Sequence, residues 1–159
     1  IFIITGDHGM SVNPVYDLDL SLFNVPCLII GPQELMAKGR RIKKVCSQTD
    51  IYATLMHILR IPYSNCAFSR NMFDSADEPG TQWALLGDGS KIGFVTDRYY
   101  CISRIKSRRD NLYDYAGEKP ADNLAEIYPE TTCKYRKNMY ALLQSVFYLY
   151  SNNLICHGR

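Results

Sequence analysis

The sequence predicts an α/β fold whose second half is a small antiparallel sheet closed by a helix. Three observations carry this. Residues 1–4 and 25–30 are short apolar runs without polar alternation. Residues 47–61 have helical periodicity. After residue 82 the period shortens to that of strands, and a long apolar stripe at helical spacing ends the pattern.

Each element has a local reason. Ile1-Phe2-Ile3-Ile4 reads as a parallel strand buried on both faces, because a half-exposed strand would alternate. Pro14, Asp17 and Asp19 break up the stretch 10–24. Residues 25–30 form a second buried strand, closed by Gly31-Pro32. Residues 47–61 form the clearest helix: Ser47 and Asp50 make a capping-box-like start, Ile51, Leu55, Ile58 and Leu59 form the stripe, and Pro62 follows. His57 falls off the stripe and is expected at the surface, and residues 63–82 read as a connection. Runs 83–86, 91–96 and 99–105 are separated by Gly87-Asp88-Gly89-Ser90 and Asp97-Arg98, which are hairpin turns. Residues 111–115 add an edge strand, and a polar loop, 117–131, precedes a helix over 133–151. Its stripe is Tyr135, Met139, Leu142, Leu143, Val146 and Tyr150, which suits core packing. The domain expectation is therefore an α/β part, 1–82, and a small sheet with its helix, 83–159.

Composition excludes several classes. A net charge of +2 argues against a dedicated nucleic-acid binder. No apolar run reaches the roughly 18 residues that span a bilayer. The six cysteines (Cys27, Cys46, Cys66, Cys101, Cys133, Cys156) include no C-x-x-C pair, so a zinc knuckle is disfavoured. Cys27 and Cys101 sit inside expected strands, where buried thiols and disulfides are both open. The basic run Lys38-Gly39-Arg40-Arg41-Ile42-Lys43-Lys44 reads as a solvated loop, with an anion-attracting rim as the alternative. The chain opens inside an apolar strand without a Met, and we expect the carboxyl-terminal piece of a longer enzyme.

Thr5-Gly6-Asp7-His8-Gly9 carries the chemistry. Ligands in open α/β sheets lie just beyond the carboxyl ends of strands. Here that position offers a carboxylate, an imidazole and two glycines. Adjacent Asp and His in a turn can converge on one metal ion; the alternative is an Asp N-cap with a chance histidine beside it.

Taken in order, Thr5-Gly6-Asp7-His8-Gly9, Val25-Pro26-Cys27-Leu28-Ile29-Ile30-Gly31-Pro32 and Ser47-Gln48-Thr49-Asp50-Ile51 through Thr54-Leu55 resemble the sulfatase branch of the alkaline phosphatase superfamily. Within it the chain looks most like the lipoteichoic acid synthase, or phosphoglycerol transferase, group. Arg70-Asn71-Met72-Phe73-Asp74, and Leu112-Tyr113-Asp114 followed by Asn123-Leu124-Ala125, agree with that group.

The resemblance implies the carboxyl-terminal part of an alkaline-phosphatase-like sheet with flanking helices. It further implies phosphoryl-group transfer at the extracytoplasmic face of a bacterial membrane, from a phosphodiester or lipid headgroup. Asp7 and His8 match the family's metal ligands, for manganese or magnesium. The family's other acidic ligand and its Thr or Ser nucleophile, which forms a phospho-enzyme, lie upstream of this motif. No catalytic residue is therefore assigned, and the chain alone is expected to be inactive, needing the missing amino-terminal part. Two-zinc phosphatases need a further histidine, for which only His57 and His157 remain. Many sulfatases place a sulfate-binding Lys between the two strands, where residues 10–24 have no Lys, Arg or His. A sulfatase with calcium is the first alternative. A non-catalytic module meeting an anionic surface through residues 38–44 and 104–109 is the second.

Overall fold

In the computed structural model, which describes residues 1–36, 39, 41–75, 82–107 and 109–155, the first apolar run forms strand β1 (Phe2–Thr5) and the second forms β2 (Cys27–Ile30). The two pair antiparallel, with Phe2 opposite Ile30 and Thr5 opposite Cys27. The expected parallel, fully covered strand is thus corrected. Residues 6–26 contain only a short 3-10 turn, Leu20–Leu22, where a parallel neighbour would require a crossover, usually through a helix. Nor is β1 buried within its unit. Phe2 is 72% exposed, and Ile4, Leu28 and Ile30 are exposed with it on the same face of the pair. An apolar run indicates what a strand can bury, not what is there to cover it.

The chain divides into two compact units, Ile1–Arg41 and Ile42–Arg159. The second contains both sides of the boundary expected at 82/83. It begins with helix α1 (Asp50–Leu59), three residues later than the sequence suggested. Residues 47–49 form a turn instead, because the Asp50 carboxylate accepts the Ser47 backbone N–H at 2.8 Å and fixes the chain before the helix starts. The buried face of α1 is Asp50, Ala53, Thr54 and Ile58, so two polar residues replace part of the expected apolar stripe. Leu59 of that stripe is exposed.

Strands β3 (Trp83–Gly87), β4 (Lys91–Thr96), β5 (Tyr99–Arg104) and β6 (Asp110–Asp114) form the antiparallel meander expected, in chain order. Gly89 turns the first hairpin with φ +81, while the Asp88 carboxylate accepts the backbone N–H groups of Ser90 and Lys91. The second hairpin is clamped from outside by Arg98, which donates to Asp114 at 2.7 Å.

Helix α2 (Pro129–Ser151) begins four residues earlier than expected, with Pro129 in its first turn, where a missing N–H costs nothing. It lays Met139, fully buried, against Ile92 and Phe94, flanked by Trp83, Leu85, Tyr135, Tyr140, Leu142 and Leu143. Two phenols cross the same seam: the Tyr135 hydroxyl lies 3.0 Å from Thr96 Oγ1, and that of Tyr140 lies 3.2 Å from Ser103 Oγ. The other side of the sheet is also buried, at Tyr100, Ile102 and Tyr113.

Candidate functional site

Asp7 and His8 follow β1 directly, in a turn held by its neighbours. The Asp7 Oδ1 accepts the His8 backbone N–H at 2.9 Å. His8 Nδ1 lies 2.8 Å from the Gly9 carbonyl oxygen. A proton on Nδ1 donated to that carbonyl leaves the Nε2 lone pair for another partner, which is how metal-binding imidazoles are commonly oriented. Nε2 lies 3.9 Å from Asp7 Oδ2, and the two side chains are 76% and 91% exposed. Two donors so spaced can contact one ion with bonds of about 2.1 Å each.

The electrostatics favour opposite charges on the pair. The His8 N–H, and then the His8 charge, hold the Asp7 carboxyl below its ordinary range. The Gly9 carbonyl, and then the Asp7 charge, raise the His8 imidazole above its own. Two donors do not complete a coordination sphere. Among the described residues no group of three His, Cys, Asp or Glu side chains converges in a way that could hold an ion.

The glycines of the turn have specific structural work. Gly9 donates its N–H to the Leu22 carbonyl at 2.8 Å, and a Cβ there would lie 2.0 Å from the Ser21 carbonyl oxygen. The backbone approach that only glycine permits is therefore made to the chain's own 3-10 turn. Asp19, which the sequence placed in the broken stretch 10–24, is buried and holds that turn. It accepts the Ser11 hydroxyl at 2.6 Å and also the Ser21 hydroxyl. These hydroxyls keep its carboxyl below the usual range.

A second polar centre escaped the sequence reading as a centre, although its residues lie in the motif blocks. Asp50 is 2% exposed and accepts from four donors: the Ser47 and Arg70 backbone N–H groups, Arg70 Nε and Arg70 Nη2, the last at 2.6 Å. Arg70 also donates to the Trp83 carbonyl and lies 4.2 Å above the Trp83 ring. Beside it, Ser69 Oγ donates to the Thr49 carbonyl and accepts the Ala53 N–H, while Thr54 Oγ1 accepts the Met72 N–H. The blocks beginning at Ser47 and Arg70 thus meet as one hydrogen-bonded junction. The later pair meets likewise: Asn123 Oδ1 accepts the Leu112 N–H, and the Leu112 carbonyl accepts the Leu124 N–H. These blocks hold backbone together, and the signal for the first junction was an Asp at a helix start with an Arg twenty residues on.

His57 is exposed, as expected, with its ring 6.3 Å from that of Phe73. It lines an open cleft of about 670 Å³ with Arg60, Tyr63, Asn71 and Asp74. His157 lies outside the described residues, as do Lys38, Arg40, Arg108 and Cys156, so the charge runs 38–44 and 104–109 are described only in part. Lys44 of the first run is tied down, donating to the carbonyls of Asp74 and Asn71. The five described cysteines are free thiols. Cys27 is exposed at the start of β2, which corrects its expected burial, whereas Cys101 is fully buried and its thiol is pushed up to about 12, chiefly by burial. Compared with known proteins, the chain matches no family model and no curated protein.

Proposed function

We propose that this chain is the carboxyl-terminal part of a metal-dependent phosphoryl-transfer enzyme of the sulfatase and alkaline phosphatase superfamily, of the phosphoglycerol transferase kind. One observation supports this above the others. The Asp-His pair of the Thr5-Gly6-Asp7-His8-Gly9 block sits at a strand end, exposed, with His8 Nδ1 turned to a carbonyl and Nε2 beside the Asp7 carboxylate. With the hydroxyl and phosphate oxygens expected to complete the set, the carboxylate favours a harder ion, manganese or magnesium. A divalent ion bound there supplies charge neutralisation at phosphoryl oxygens and lowers the pKa of an attacking hydroxyl.

The chain's own contribution is positional. The His8 N–H orients the Asp7 carboxylate, the Gly9 carbonyl orients the imidazole, and Gly9 locks the turn onto residues 21–22. On this reading the nucleophile and the remaining ligands come from elsewhere. The substrate is a phosphodiester or lipid headgroup at the outer face of a bacterial membrane, and the chain alone does not turn it over.

The test is imidazole NMR of the chain during a manganese titration. Paramagnetic broadening should reach His8 well before His57, and Asp7→Ala should remove that preference. Equal broadening of both histidines, or no effect of Asp7→Ala, would sink the reading. In the complete enzyme Asp7→Ala should abolish phosphodiester turnover while leaving the circular dichroism spectrum unchanged. Turnover of sulfate esters alone would transfer the assignment to a sulfatase.

A further inference from the structure

The last turns of α2 differ from the rest of the helix. Among the described residues, the side chains joining α2 to the sheet lie between Tyr135 and Leu143. Beyond them Val146, Phe147, Tyr148 and Tyr150 are exposed by 41%, 61%, 63% and 72%, and Leu154 and Ile155 just past the helix are exposed as well. At about 100° per residue, positions 146, 147 and 148 point to three different sides of the axis. The end of the helix is therefore apolar nearly all round, not along one stripe.

Charge follows a matching pattern. From Thr131 to Ile155 there is no Asp or Glu, and from Asn138 to Ile155 there is no charged residue of either sign. The basic residues Lys134, Arg136 and Lys137 precede that uncharged stretch. Arg136 is engaged by Asp110 at 2.9 Å, while Lys134 and Lys137 stand exposed.

We propose that the carboxyl-terminal end of α2 docks into the headgroup boundary of an anionic lipid bilayer. A groove on a protein covers one side of a helix, whereas a bilayer surrounds an inserted end on all sides, as this distribution of apolar side chains requires. Tyrosine and phenylalanine suit that boundary because their rings are apolar and, for tyrosine, the hydroxyl stays wet. The absence of acidic residues removes repulsion from anionic headgroups. Lys134 and Lys137 add attraction roughly 15–20 Å along the axis from Tyr148, at about 1.5 Å per residue. The helix is not long and apolar enough to cross a membrane, and the proposal places only its carboxyl-terminal end in the boundary. This inference stands independently of metal binding at Asp7 and His8.

The experiment is co-sedimentation of the chain with phosphatidylglycerol–phosphatidylcholine vesicles and with phosphatidylcholine vesicles alone. Binding is expected to the first, weakening as salt rises. The pair Phe147→Ser and Tyr150→Ser should lower it tenfold or more, and Lys134→Gln with Lys137→Gln should lower it by less than about fivefold per lysine, most at low salt, because both stand beyond a Debye length from the inserted end. All four positions are exposed, so circular dichroism should be unchanged. Absence of binding to anionic vesicles, or binding indifferent to both pairs, would overturn the proposal. A concentration-dependent dimer lost in the Phe147→Ser, Tyr150→Ser variant, without vesicle binding, would assign the surface to a second copy of the chain and overturn it equally.

Discussion

Gly9 is the most tightly confined of the first unit's glycines. Its backbone touches the Ser21 carbonyl region so closely that even a methyl group has no room. Gly9→Ala should cost about 1–3 kcal/mol through forced displacement of the 3-10 turn, read as a lower midpoint in urea unfolding. The same substitution at Gly39, where a Cβ meets nothing within 4 Å, is the control and should be near neutral. Asp19 sets an acid limit on that turn. Its folded carboxyl is depressed by the Ser11 and Ser21 hydroxyls. The resulting stability is therefore fully present above the ordinary carboxylate range and is lost as pH falls through the depressed folded value. The protection factor of the Gly9 amide, corrected for the intrinsic exchange rate at each pH, should consequently fall below about pH 4, and Asp19→Asn should flatten that dependence. An unchanged profile in the variant would remove Asp19 from the account.

At the scale of elements, the junction of α1 with the segment after it rests on Asp50 and Arg70. The carboxylate is buried and receives four donors from two positions, so removing the guanidinium leaves a desolvated charge. Breaking a buried pair from one side costs about 3–5 kcal/mol, which is the loss expected for Arg70→Ala in thermal or chemical unfolding. Arg70→Lys should rescue little, because a lysine cannot donate from Nε and Nη2 together, reach the Trp83 carbonyl and stack on its ring. A loss below 1 kcal/mol in Arg70→Ala would show that water enters the site. Helix α2 depends on a different force, the packing of fully buried Met139 against Ile92 and Phe94.

For the whole molecule, the two units should differ in cooperativity. Among described residues of Ile1–Arg41 only Leu18 and Asp19 are buried, whereas Ile42–Arg159 buries both faces of a four-stranded sheet. A unit of that size with so small a core is marginal alone. Hydrogen exchange should therefore protect β4 and β5 far more strongly than β1 and β2. Comparable protection would mean that the first unit gains stability from contacts beyond its own core.

Much of the second unit was legible because its forces are local. The turn residues 87–90 and 97–98 fix the hairpins, period-two runs fix the strands, and the spacing of Tyr135, Met139, Leu142 and Leu143 fixes the packed face of α2. The strand-end position of Asp7 and His8 was legible too, since an apolar run followed by Gly-Asp-His-Gly ends where the glycine turns the chain. Tertiary structure alone decided the partner and direction of β1, the four-donor surroundings of Asp50, and how far the α2 stripe stays covered. Each is a contact between distant segments, and composition or periodicity states only what a residue can bury. Pairing, register and coverage depend on which other surface arrives, and that is set by the path of the chain in space.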